Sequence, residues 1–322
     1  MLKDFKEDYL PYKVGGLLYS PASRKGISEK IINGEYGKLS SLALCLEDSI
    51  SDDSLKTAEG QLQETLSTLN KSSTDLPLLF VRVRSVDHLV RMHNLLGNNE
   101  LVLTGYILPK FDLNNCESYC RLIRDYNSKR AKKLYIMPIL ESKSIADVGN
   151  RVNNLLKIKR HLDGISDYVL NIRVGGNDFC NLYGLRRSET QNIYQIGVIR
   201  DTLVDIINIF SSDYIVSGPV WEYFGKDTSE PWAIGLRKEI EMDRLNGFIG
   251  KTAIHPSQIP IINESLIVRK RDYDDANTII NWTSQGFAVA KSVDGQRMNE
   301  VKCHYEWAKR TLILAEIYGI RE

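Results

Sequence analysis

The sequence predicts an α/β protein: a (β/α)8 TIM barrel with an appended C-terminal helical region. Three observations predict it. Eight short apolar runs alternate with segments of helical spacing, and the runs are apolar almost throughout, as parallel strands buried on both faces are. Two of them end in a carboxylate: Lys133 to Ser142 (KLYIMPILES) at Glu141, and Tyr168 to Phe179 (YVLNIRVGGNDF) at Asp178. In a barrel, polar residues at the C-terminal ends of strands stand at the mouth, where active sites are built. Finally, the eight runs fill Gly16 to His255, about the length one barrel needs.

The totals fit this class. A chain of 322 residues with 43% hydrophobic and 26% charged residues has the make-up of a soluble enzyme-sized protein. Lys plus Arg number 42 against 41 Asp plus Glu, so no global field points to nucleic acid or to a membrane surface as partner. The N-terminal stretch lacks the apolar core of a signal peptide, and no run is long enough to span a bilayer. Five cysteines without framework spacing suit a reducing cytoplasm.

In chain order, Gly16 to Ser20 is the first strand, with Arg24 just beyond it; a surface arginine is the plainer reading of Arg24. Ser41 to Asp48 is the second, ending in Glu47 and Asp48. Leu55, Ala58, Leu62, Leu66 and Leu69 then recur at three and four, one face of an amphipathic helix. Pro77 to Arg84 is the third strand, its Arg82 and Arg84 on one side. An arginine fork matches two oxygens of a carboxylate or enolate. Leu101 to Lys110 is the fourth strand, with Lys110 at its tip. Cys116, Tyr119, Cys120 and Ile123 form the apolar stripe of a helix over about Asn114 to Asn127, which makes the two cysteines core residues.

Pro138 strains the fifth strand, because proline donates nothing to a ladder. Ile145, Val148, Val152, Leu155 and Leu156 give the next helix. The sixth strand carries Asn171 and Arg173, an unusual pair for a barrel wall, for which an internal ion pair with a mouth carboxylate is one account. Gly175 and Gly176 allow close backbone approach just before Asp178. A helix with Ile193, Ile196, Ile199, Leu203, Ile207 and Phe210 leads to the seventh strand, Asp213 to Val220. The loop after it holds Trp221, Tyr223, Phe224 and Trp232, which either shape a pocket or pack as a surface lobe. Phe248 to His255 is the eighth strand; His255 either positions a proton or is a structural histidine. The division expected is a barrel domain over 1–263 and a helical extension over 264–322, with a break at Ser292, Asp294 and Gly295.

Two carboxylates from neighbouring strand ends, Glu141 and Asp178, suit a hard cation that keeps sites for water and substrate. Taken singly, each acid is as readily a helix cap.

The ordered segments LYSPASR, LCLEDSI, FVRVR, ILPK, ILES, GGNDF and GFIGKTAIHPSQI resemble the HpcH/HpaI aldolase and citrate lyase β-subunit family, most of all its citrate-lyase-like branch found near tellurium-resistance operons. The resemblance runs from about Leu18 to Asn263. It implies a Mg2+-dependent enzyme that makes or breaks a carbon–carbon bond beside a carbonyl, acting on a small oxo- or hydroxy-acid or an acyl-CoA. Glu141 and Asp178 would be the metal ligands. Arg82 would hold the oxo-acid or enolate oxygen, with Glu47 and Asp48 the acidic pair near the metal waters. Arg24 would be an arginine at the substrate mouth; Lys110, Trp221 and His255, by their own strand-end and loop positions, are the other residues expected to border the substrate. The resemblance further implies a homotrimer or hexamer whose C-terminal helix reaches a neighbour's site; in this sequence Trp282, Phe287, Trp307, Leu312, Leu314 and Ile317 supply more apolar surface there than a barrel rim needs.

Three departures stand out. Cys45 replaces a family aspartate, the loop WEYFGKD differs from its counterpart, and Asn299 stands where acyl-CoA-condensing relatives carry an aspartate base, with Glu300 beside it the alternative counterpart. A non-catalytic ligand- or partner-binding barrel is the alternative reading. A metal-assisted hydrolase or phosphotransferase is a third, without a Walker-type loop to support it.

Overall fold

The computed structural model describes residues 9–283, 288–292 and 295–322. Eight parallel strands make the barrel: β1 (Gly16–Pro21), β2 (Ser41–Cys45), β3 (Leu78–Arg82), β4 (Gly105–Leu108), β5 (Tyr135–Leu140), β6 (Ile172–Val174), β7 (Val216–Ser217) and β8 (Lys251–Ala253). They are bonded in the order β7-β6-β5-β4-β3-β2-β1-β8. A single parallel bridge, Gly218 to Lys251, joins the two ends. Every expected strand is present; β1 runs one residue further, to Pro21, and the other seven are shorter than expected. Leu101 and Val102 belong instead to a 3-10 turn over Gly97–Val102.

Side-chain alternation divides the wall. Leu42, Leu44, Leu79, Val81, Tyr106, Leu108, Ile136 and Leu140 face outward and join the core under the helices. The helix Leu55–Asn70 seals this layer with Ala58, Leu62, Leu66 and Leu69, none more than 1% exposed. Each such leucine contributes roughly 1.5–3 kcal/mol by leaving water. Tyr19, Ala43, Phe80, Arg82, Met137 and Arg173 take the alternate positions, which point into the barrel.

Pro138 sits within β5 after all. The β5–β6 pairing skips it, running from the bridge Ile136–Val169 to Ile139–Arg173 and Leu140–Val174, so no ladder bond is asked of the missing N–H. The helix expected through Ile145 and Leu156 is broken in two, Lys143–Ala146 and Arg151–Asp163. Between them the Asp147 carboxylate accepts the Gly149 N–H at 3.1 Å and the Asn150 amide at 3.1 Å. Such a local turn competes with helix continuation. Val148, Val152 and Leu156 therefore stand 84%, 49% and 42% exposed rather than in the core. Cys116 and Cys120 are buried, as the helical stripe requires.

Arg173 makes no ion pair with a mouth carboxylate. It is 1% exposed, and its Nη2 donates to Thr252 Oγ1 at 2.6 Å. On the outer face of β8 the buried Lys251 ammonium donates to Glu239 (2.9 Å) and Asp243 (2.6 Å) of the helix Pro231–Leu245. Arg187 adds a contact to Glu239 at 3.3 Å, and the Tyr194 hydroxyl donates to Asp243 at 2.7 Å.

The chain divides into two compact units, one spanning Val14–Ile262 and the other made of the N-terminal segment through Lys13 with Asn263–Glu322. In the second, the helices Lys270–Ile280 and Val301–Tyr318 pack through Ala276, Ile279, Ala308 and Leu312. A short antiparallel pair, Val289–Lys291 with Met298–Glu300, precedes the last helix. Phe287 and Asp294 lie outside the described residues.

Candidate active site at the barrel mouth

The C-terminal ends of β2 to β6 bring one charged cluster together. Arg82 ends β3, and Leu46 N–H donates to its carbonyl (3.0 Å), which places the residues after β2 alongside. Arg82 Nη2 then lies 2.8 Å from Glu47, 3.0 Å from Asp48 and 3.4 Å from Glu141. Lys110, beyond β4, donates from Nζ to Glu47 at 2.6 Å and from its backbone N–H to Glu141 Oε1 at 2.8 Å. The second bond explains an unusual backbone: Lys110 has φ of 48°, and among the described residues no other non-glycine residue has a positive φ. That conformation costs roughly 1–3 kcal/mol, and here it aims an N–H at a carboxylate.

Glu141 follows β5 and is 4% exposed. Burial pushes its carboxyl up to about 8, Arg82 opposes the shift, and Asp178 reinforces it. Burial also raises Glu47 against the pull of Arg82. Asp48 goes the other way: despite burial, Glu47 and Arg82 hold it below the usual range. Arg82 stays charged throughout, since Tyr19 and the surrounding acids outweigh its burial.

Asp178 lies one turn beyond the strand end, in the first turn of the helix Gly176–Leu182. What joins it to Glu141 is Gly175. A Cβ at Gly175 would lie 2.3 Å from Glu141 Oε2 and 3.1 Å from Asp178 Oδ2, so both oxygens converge on the space a side chain would fill. Across the cluster, four carboxylates (Glu47, Asp48, Glu141, Asp178) face two fixed cations (Arg82, Lys110). No group of three or more metal-ligating side chains occurs among the described residues. Two carboxylates with an excess of negative charge fit Mg2+, which takes one or two protein ligands and keeps waters.

The other expected residues make no hydrogen bond or ion pair to this cluster among the described residues. Arg24 is exposed and interacts with Tyr36. Its charge, after burial, helps hold the His255 imidazole below its usual range. His255 Nδ1 accepts the Ser257 N–H at 3.2 Å and meets Ser257 Oγ at 2.8 Å, a helix-capping role. Its ring stacks on Phe224 at 4.5 Å. Trp221 departs from the expectation of a substrate contact. Its side chain is fully enclosed, its indole N–H donates to the Trp232 carbonyl at 3.0 Å, and Arg187 lies over its ring. The exposed aromatic of that loop is Phe224. Asn299 is 3% exposed and donates to Asp275 at 2.9 Å within its own unit.

One residue of the mouth escaped the sequence reading. Tyr19 projects inward from β1, and Arg82 Cζ lies 5.9 Å from the centre of its ring. The period-two placement of Leu17 and Tyr19 was the available signal, but a tyrosine in an apolar run reads as core.

No curated protein matches this chain by sequence. Among solved structures, a citrate lyase from Burkholderia xenovorans LB400 superposes with a TM-score of 0.67 at 13% identity, over 95% of this chain and 93% of that one. Protein CitE from Mycobacterium tuberculosis, in complex with magnesium, acetoacetate and coenzyme A, gives 0.62 at 18% identity, over 94% and 99%. The citrate lyase β subunit of M. tuberculosis complexed with oxaloacetate and magnesium gives 0.52 at 18%, over 79% and 98%. At these identities the likeness is one of fold. The family model described as "C-C_Bond_Lyase of the TIM-Barrel fold" matches residues 8–320, and the chain belongs to that family of carbon–carbon bond lyases.

Proposed function

We propose that this chain is a Mg2+-dependent carbon–carbon bond lyase acting on a small oxo- or hydroxy-acid. The observation that carries the proposal is the convergence of Glu141 Oε2 and Asp178 Oδ2 on the gap at Gly175, with Arg82 against the other Glu141 oxygen. Glu141 and Asp178 would hold the ion. When bound, Mg2+ supplies Lewis-acid stabilisation of the negative charge that builds on a substrate carbonyl oxygen as the bond breaks, worth several kcal/mol. Glu47 and Asp48 fix the Arg82 guanidinium, so its positive charge is preorganised and needs no rearrangement as charge develops. Lys110 clamps Glu47 from the other side and orients Glu141 through its backbone N–H. Acetoacetate and oxaloacetate, found in complexes of the M. tuberculosis relatives, are oxo-acids of the size proposed.

Cleavage is favoured over acyl-CoA condensation. Asn299 is a neutral amide occupied by Asp275, and an amide cannot accept the α-proton that condensation must remove. The assembly is proposed to be a homotrimer or a dimer of trimers using the second unit, where Trp307 is 38% and Met298 56% exposed. Leu312 does not contribute, because it is buried in its own unit.

Titration calorimetry tests the core of this reading. Wild type binds Mg2+, and then oxaloacetate or acetoacetate in its presence; Glu141→Gln and Asp178→Asn each weaken the first step. Unchanged Mg2+ affinity in both variants rejects the site. A monomer in sedimentation at micromolar concentration rejects the assembly.

A further inference from the structure

The floor of the mouth carries a feature that the cluster around Arg82 does not use. Arg173 is a guanidinium inside the barrel, 1% exposed, with no carboxylate within ion-pair distance among the described residues. Its Nη2 is held by Thr252 Oγ1 at 2.6 Å, while Nε and Nη1 have no hydrogen-bond partner. A buried charge without a counter-charge costs several kcal/mol, so its retention calls for a purpose other than stability. The group it acts on is Tyr19, the neighbour whose phenol interacts with it.

Tyr19 stands between two arginines: Arg82 over its ring face at 5.9 Å and Arg173 by its phenol. Unlike Arg173 it is only partly buried, so the mouth reaches it. Register places it one inward layer below Arg82. Tyr19 pairs with Ala43 and Ala43 with Phe80, whereas Arg82 pairs with Cys45. Burial keeps the phenol protonated, with Arg173 and Arg82 opposing the shift. A guanidinium has donors only, so its positive charge attracts the phenol oxygen rather than the phenol's proton, which is left to donate elsewhere.

We propose that Tyr19 touches the substrate, donating a hydrogen bond from the floor of the mouth to an oxygen of the bound oxo-acid, and that Arg173 is the positioning residue that holds the phenol in this donating role. The assignment rests on the oxo-acid reading above. It adds a donor beneath the substrate to the Arg82 fork, and so favours substrates with an anionic or carbonyl oxygen directed into the barrel.

The test is calorimetry with pyruvate as probe in saturating Mg2+, on wild type, Tyr19→Phe, Arg173→Met, Arg173→Lys and the Tyr19→Phe/Arg173→Met double variant. Tyr19→Phe, which keeps the ring, should lower pyruvate affinity about ten-fold or more, the effect of one hydrogen bond to a charged group. Mg2+ affinity should be unchanged. Arg173→Met should lower pyruvate affinity to a similar extent, Arg173→Lys should restore most of it, and the double variant should be no worse than Tyr19→Phe, because Arg173 acts through that hydroxyl. A tyrosine band in the ultraviolet difference spectrum on pyruvate binding should vanish in Tyr19→Phe. Wild-type pyruvate affinity in Tyr19→Phe, or additive losses in the double variant, overturns the assignment. Failure of the parent reading looks different: wild type itself then binds no oxo-acid with or without Mg2+, and the role of Tyr19 falls with it.

Discussion

Gly175→Ala isolates the proposed metal cradle with a single methyl group. Gly175 has φ of −93°, which alanine accepts, so the substitution adds volume without torsional strain. The new Cβ would meet Glu141 Cβ and Oε2 at 2.3 Å and Asp178 Oδ2 at 3.1 Å. Restoring ordinary contact requires the Glu141 carboxylate to retreat by about 1 Å from the position given by those distances. Overpacking of this kind costs about 1–3 kcal/mol of stability. The effect on metal is sharper, because Mg2+ demands near-ideal geometry at roughly 2.0–2.1 Å. Affinity for Mg2+ should fall at least about ten-fold, equivalent to about 1.4 kcal/mol. Gly176→Ala is the matched control: its Cβ would strike Ile193 at 2.6 Å and Pro219 at 2.8 Å and touch no carboxylate. It should lose comparable thermal stability while binding Mg2+ as wild type does. Calorimetry and thermal unfolding on the two variants decide the matter. Wild-type Mg2+ affinity in Gly175→Ala refutes the cradle, and equal metal loss in both variants reduces the effect to general destabilisation.

Four further outcomes are expected. Arg82→Lys should stay folded by circular dichroism yet lose oxo-acid affinity in calorimetry, since an ammonium cannot reproduce the planar fork. Lys251→Met removes the ammonium that bridges Glu239 and Asp243 and should cost about 3–5 kcal/mol in denaturant unfolding, by stranding buried carboxylates. Asn299→Asp places a carboxylate against buried Asp275 and should lower the melting temperature, a loss that Asn299→Ser should largely avoid. Burial holds the His88 imidazole below its ordinary pKa even though Glu59 opposes this. The stability it contributes is therefore present above the unfolded value of about 6.5 and lost as pH falls through the folded one. His88→Gln should flatten that acid limb of the stability profile.

The barrel was legible because eight apolar runs and the helical spacing between them repeat one physical pattern. The pairing of Glu141 with Asp178 was legible only as two acids near neighbouring strand ends, since either alone reads equally as a helix cap, and it is the gap at Gly175 that brings their oxygens together. Other tertiary facts were not legible. Trp221 and Phe224 are three residues apart in one loop, and only packing under Arg187 and Gly235 decides that the first is enclosed and the second exposed. Val148, Val152 and Leu156 fit a helical stripe, yet a side-chain turn at Asp147 breaks the helix that would have buried them. Arg173 was noticed as anomalous but misassigned. Its neighbours Tyr19 and Thr252 come from the first and last strands, and no local pattern brings those together.

The ring of strands closes unevenly. β7 has two residues, and it meets β8 at one bridge, where the β1–β2 pair shares five register positions. Backbone bonding at this seam is thinner than between β1 and β2, with Ile249 N–H on the Val216 carbonyl at 2.9 Å and Gly218 N–H on the Gly250 carbonyl at 3.0 Å, and behind it lies the buried set of Lys251, Glu239, Asp243 and Arg187. Those charges resist separation only while water is kept out, so the first solvent to enter weakens the attractions that held it back. Opening there is cooperative for that reason. Amide exchange around Ser217 and Lys251 should therefore follow a single sub-global event rather than gradual fraying, with the β1–β2 side protected until the whole barrel comes apart.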